Sequence, residues 1–170
     1  MPTSPSRTPP SPAAQLRAWL ARLPLPQQRL GRAVRAAVRR LFPTANELAY
    51  DYKTSVVLSY SPTRRGIDAV VAIAARPDGV CLCFSQGPKL PDPQRLLRGS
   101  GKATRFLQLA SARQLVEPHV KALLAATAQF APTPLPASGK GLLIDMSPRG
   151  RSGRGASRRG DIGGSASRVG

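Results

Sequence analysis

From Gln28 to Phe42 the positions Leu30, Ala33, Val34, Ala37, Val38 and Leu41 recur at i, i+3, i+4 and i+7, the spacing of an amphipathic helix. They fill one half of the helix. Arg29, Arg32, Arg35, Arg39 and Arg40 gather in the other half, within an arc of roughly 140° at about 100° per residue. Pro43 ends the run, and Thr44 to Tyr50 reads as a further turn or short helix. Upstream, Ser11-Pro12 supplies a cap and first helical position, and Leu16, Trp19, Leu20 and Leu23 recur at helical spacing before Pro24. A helix this short needs a surface to lie on. Two readings are open: a helix packed back on its own domain or simply frayed, or a partner-binding or targeting segment, since residues 1–46 contain no acid.

Strand patterns follow. Val56 to Tyr60 is β-branched and aromatic, Ala69 to Ala75 is an unbroken apolar run, and Val80 to Phe84 follows it. Between the last two, Arg76-Pro77-Asp78-Gly79 is a hairpin turn, with proline presetting φ and glycine accepting a positive one. The Pro62–Gly66 connection is vaguer, Gly87 to Pro93 reads as loop, and Gln94 to Arg98 as a helical segment. Thr104 to Leu109 alternates like a further strand. Glu117-Pro118 opens a last helix, in which Val120, Leu123, Leu124, Thr127 and Ala128 share a face up to about Phe130, and Glu117 complements its N-terminal dipole. The order predicts an α+β fold, an antiparallel sheet of about four to six strands with the N- and C-terminal helices packed on one face.

Charge sharpens the domain plan. The chain has 170 residues, a formal net charge of +18 and 18 prolines, which suits one domain with tails. Residues 1–26 form a Pro-rich basic segment, 27–130 the α+β domain that must hold the core, and 131–170 a Gly/Arg/Ser-rich tail. The tail, without an aromatic residue and with little apolar mass, is expected to be disordered. No apolar run is long enough to span a bilayer, and a charged segment followed by a sustained apolar one is missing, which points to a cytoplasmic protein. Two cysteines make no disulfide framework.

Chemistry-bearing motifs are sparse. Gly99-Ser100-Gly101-Lys102 lacks the glycine a phosphate loop needs five positions before its Gly-Lys pair, where Leu96 stands, and a strand follows instead of a helix. A bend admitting Lys102 to a surface groove is the simpler reading. Cys81 and Cys83 flank Leu82 in a strand, so both thiols share a face; with His119 they could hold a soft metal, or the strand is buried on both faces. His119, near the start of the last helix, has no nucleophile beside it in sequence and also reads as a surface residue. Tyr50-Asp51-Tyr52-Lys53 could line a polar pocket with Gly99 and Gly101, or form a helix-to-strand junction with solvated tips. In the tail, Arg149, Arg151, Arg154, Arg158 and Arg159 alternate with Gly and Ser, a pattern that neutralises phosphates without fixed geometry. The 21 Arg against 5 Lys also fit a GC-biased coding sequence.

Several segments together resemble the YdhG-like domain, a bacterial family of largely unknown function. They are Asn46-Glu47-Leu48-Ala49-Tyr50, Val80-Cys81-Leu82-Cys83-Phe84, Gly87-Pro88-Lys89-Leu90, and the run from Leu97-Arg98-Gly99-Ser100 to Arg105-Phe106. With both helices the likeness covers roughly 100 residues. It implies a frataxin-like two-layer sandwich, and through that shape iron handling. Such iron binding needs an acidic ridge on the first helix and strand, because hard cations take carboxylate oxygens; here that helix carries five arginines. The first expectation is therefore a non-catalytic binding module. Its basic surface, Arg29, Arg32, Arg35, Arg39 and Arg40 with Lys102 and Arg105, would engage nucleic acid or an acidic protein, with no cofactor. A frataxin-like iron- or metal-handling protein is the alternative, and a small-pocket enzyme of unknown reaction the second.

Overall fold

The computed structural model describes residues 8–146. Helix α1 spans Pro12–Leu20, with the Ser11 hydroxyl accepting from the Ala14 amide at 3.3 Å and proline in its first turn. Helix α2 spans Leu25–Leu41 and is stopped by Pro43. Strands β1 (Asn46–Asp51), β2 (Val56–Ser61), β3 (Val71–Arg76) and β4 (Gly79–Ser85) form an antiparallel meander, which β5 (Thr104–Leu109) extends. Helix α3 (Pro118–Gln129) follows, and β6 (Leu143–Asp145) pairs parallel to β1. The strand order is β5-β4-β3-β2-β1-β6.

The expected sheet of four to six antiparallel strands is thus corrected to a six-stranded mixed sheet. The α+β class holds, and the three α-helices of the described residues lie on one face. The register shows why. Val56, Leu58 and Tyr60 stand in line with Val71, Ile73 and Ala75, then with Val80, Leu82 and Phe84, then with Leu107 and Leu109. These alternate positions form one core with Leu16, Trp19 and Leu20 of α1, Val34 and Val38 of α2, and Leu123 and Leu124 of α3. Helix α2 passes close to β3 at Gly31, where an added Cβ would sit in ordinary contact, 3.7 Å from that of Ala75. At the far end of the sheet the Thr127 hydroxyl of α3 donates to the carbonyls of Val70 and Ser85, both at 2.9 Å.

Four expectations change. Thr44–Tyr50 is not helical; its second half is β1, in which Glu47, Ala49 and Asp51 face the helices. Residues 94–98 form no helix, because the Asp92 carboxylate accepts from the amides of Leu96 (2.9 Å) and Leu97 (2.8 Å), and Arg98 bridges to Phe106. The core does not stop at residue 27, since α1 contributes buried Leu16, Trp19 and Leu20 and is followed by buried Leu23. Within the segment assigned to the tail, Leu143–Asp145 form β6, held by Glu47 N to Leu142 O (2.8 Å), Gly141 N to Pro43 O (2.9 Å) and Met146 N to Ala49 O (2.9 Å). The expectation of disorder for 147–170 lies outside the described residues.

Candidate anion-binding surface

The arginines of α2 fall into two groups, set by which flank of the helix lies beside β1. On that flank Glu47, 2 % exposed, points from β1 toward α2. Arg35 grips it with two parallel bonds, Nε to Oε1 and Nη2 to Oε2, each 2.7 Å. Arg39 Nη1 reaches Oε2 at 3.3 Å, and the buried Tyr60 hydroxyl donates to Oε1 at 2.9 Å. A buried carboxylate is tolerable only when paired and hydrogen-bonded in this way. The bond to Glu47 holds the Arg35 guanidinium above its ordinary pKa against the opposing effect of burial. Burial, reinforced by the Glu47 charge, pushes the Tyr60 phenol well up.

This corrects the expectation that all five arginines turn to water. Arg35 is committed to an internal bidentate pair and Arg39 is tethered to the same carboxylate. Arg29, Arg32 and Arg40 are exposed. Arg32 donates to Gln28 Oε1 at 3.3 Å, and none of the three takes part in the ion pairs that the described residues make with Glu47, Asp51, Asp68, Asp78 and Glu117. Lys102 and Arg105 sit at the β5 edge, four strands from β1, so they do not extend the Glu47 cluster. Arg105 instead ties the bend, donating to the carbonyls of Gly101 and of Thr104 (3.1 Å).

The pocket expected from Tyr50, Asp51, Tyr52, Lys53, Gly99 and Gly101 does not assemble. The first four lie on or just after β1, whereas the glycines precede β5, about 19 Å away at the usual strand spacing. Tyr50 stacks on Tyr52 with ring centroids 6.0 Å apart. Asp51 faces the other way, gripped by both terminal nitrogens of Arg22 and accepting from the Lys53 amide at 2.9 Å. The Arg22 hydrogen bond, helped by the Lys53 amide, holds the Asp51 carboxyl below the usual range.

Cys81, Cys83 and His119 do not converge either. The cysteines pair in register with Ala74 and Ala72 on the sheet face away from the helices. His119 belongs to α3 on the opposite face, 3.0 Å from Glu117. The Cys81 thiol meets Gln108 Oε1 at 2.9 Å, and burial pushes the Cys83 thiol up to about 11. Among the described residues no three His, Cys, Asp or Glu side chains gather as a metal group. The arginines of 149–159 lie outside the described residues.

Sequence reasoning missed three participants. Glu47 stood in a quoted motif without a role, although a carboxylate in a strand after an Arg-rich helix is a pairing signal. Lys140 and Gly141 were assigned to the tail, yet they close over the start of β1. Comparison of the chain with protein-family models, curated proteins and solved structures finds no match.

Proposed function

We propose that this domain is a non-catalytic binding module whose basic helix layer engages a polyanionic macromolecule, a nucleic acid or an acidic protein. The carrying observation is the division of α2. Glu47 takes Arg35 and Arg39, while Arg29, Arg32 and Arg40 stand exposed on the same helix outside the ion pairs of the described residues. Exposed cations of this kind act on phosphates or carboxylates through charge and counterion release, with contacts that depend steeply on salt. Kinship with the YdhG-like domain and a frataxin-like shape belong to this reading as well; the helix–meander–helix order supports them, while α1 and the parallel β6 are additions to that plan.

Iron handling has less support. The carboxylates of Glu47, Asp51, Asp68, Asp78 and Glu117 each sit beside a basic partner, and Asp92 accepts two backbone amides. A hard cation would have to displace those partners. Chromatography of the full chain on immobilised heparin and on DNA tests the proposal. The Arg29→Glu/Arg32→Glu/Arg40→Glu variant should elute at much lower salt than the parent; equal elution from both columns, together with unchanged binding to an acidic peptide, removes the reading.

A further inference from the structure

At the C-terminal end of α2 a cleft of about 340 Å³ opens between Phe42, Pro43 and Ala45 on one side and the 139–141 turn on the other. Arg39 and Glu47 line it, and Lys140 completes the rim. We propose that this cleft is a binding site for a phosphomonoester, its phosphate held between Arg39 and Lys140 and its organic part against Phe42 and Pro43. The site goes beyond the polyanion reading of the domain, since it uses Arg39 and Lys140 in place of Arg29, Arg32 and Arg40 and takes a small ligand.

Charge selects the ligand. Arg35 matches both oxygens of Glu47 and neutralises it. Arg39 and Lys140 then remain as two cations, the complement of a dianionic phosphate. The negative end of the α2 dipole also lies at this end, but it amounts to about half a charge against two whole ones.

Pre-organisation supports the site. Arg39 makes a single bond to Glu47, at 3.3 Å, and its side chain remains 38 % exposed, so most of its five N–H donors are unspent while its position is fixed. Less side-chain freedom is then lost when an anion arrives. Lys140 stands between two glycines that the backbone requires. Gly139 has φ +103°, and a Cβ on Gly141 would lie 1.7 Å from the Ala45 carbonyl oxygen. The turn is therefore pressed onto the start of β1, with Lys140 carried at the cleft. The volume suits a small organic phosphate, at the lower end of ligand-pocket sizes.

The test is a titration of the ¹⁵N-labelled full chain with phenyl phosphate and with inorganic phosphate, against chloride at matched ionic strength. Saturable shifts confined to Ala45, Glu47, Lys140, Gly141 and the Arg39 side chain are expected, with phenyl phosphate binding more tightly. Lys140→Ala, a change at an exposed side chain, should keep the melting temperature and weaken binding about five-fold. Shifts spread over Arg29, Arg32 and Arg40 and unchanged by Lys140→Ala would overturn the cleft while leaving the polyanion reading intact, as would no saturation. Saturation in the cleft by a protein that ignores heparin would retain the site and remove only the broader reading.

Discussion

Replacing Glu47 by alanine removes the acceptor of four hydrogen bonds at once, two from Arg35 and one each from Arg39 and Tyr60. Deleting one partner of a fully buried ion pair costs about 3–5 kcal/mol. Here Arg35 and Arg39 are 26 % and 38 % exposed and can turn toward water, which lowers that figure. The Tyr60 hydroxyl cannot, because the residue is buried, and stranding it costs about 1–3 kcal/mol. Together these give a loss of about 3 kcal/mol, or about 10 °C in melting temperature for a folded body of this size. Urea unfolding followed by circular dichroism reads it directly. Glu47→Gln, which keeps an acceptor for Tyr60, should lose about half as much. Tyr60→Phe should cost about 1 kcal/mol alone and less in the Glu47→Ala background, since the two share one bond. A Glu47→Ala protein within about 0.5 kcal/mol of the parent would refute the reasoning, because such a value is typical of an exposed pair.

Trp19 is the only tryptophan and is buried where α1 packs into the core, so emission should be blue-shifted in the native chain, and Trp19→Ala should destabilise by about 3–5 kcal/mol in the same urea assay. Asp51 should titrate below the ordinary carboxylate value by carboxyl NMR and move up in Arg22→Ala. Its folded pKa is depressed, so the pair's stabilisation is present above the unfolded value and lost as pH falls through the folded one. Cys83, with its thiol near 11, should react with iodoacetamide at pH 8 about 100-fold more slowly than a free thiol. Because that pKa is raised, its contribution to stability is full below about 9 and declines as pH climbs toward 11. Gly141→Ala should loosen β6, seen as faster hydrogen exchange at the Glu47 and Met146 amides, which bond to the carbonyls of Leu142, just before this strand, and of Ala49 in β1.

What could be read from the chain follows from where the forces are local. The α2 stripe, the Pro77-Asp78 turn and the β5 alternation are each encoded within one segment, and all appear in the structure. Strand β1 escaped because two of its three helix-facing positions, Glu47 and Asp51, are carboxylates whose partners Arg35 and Arg22 lie far off in sequence. A period-2 hydrophobic pattern cannot register a core position filled by an ion pair. Strand β6 escaped for a related reason: its three residues have no periodicity, and its partner β1 is about ninety residues away. The site shows the same limit. All five α2 arginines lie in one arc of the helix, and only the placement of β1 beside one flank separates the tethered Arg35 and Arg39 from Arg29, Arg32 and Arg40.

The salt dependence of full-chain binding to a labelled DNA duplex, read by fluorescence anisotropy, tests the role of the exposed α2 arginines most directly. Each phosphate neutralised contributes about 0.9 to the slope of log affinity against log salt, so Arg29→Gln/Arg32→Gln/Arg40→Gln should flatten it by as much as about 2.7. A triple variant whose affinity and slope both match the parent, with the same result for an acidic peptide, would contradict the account.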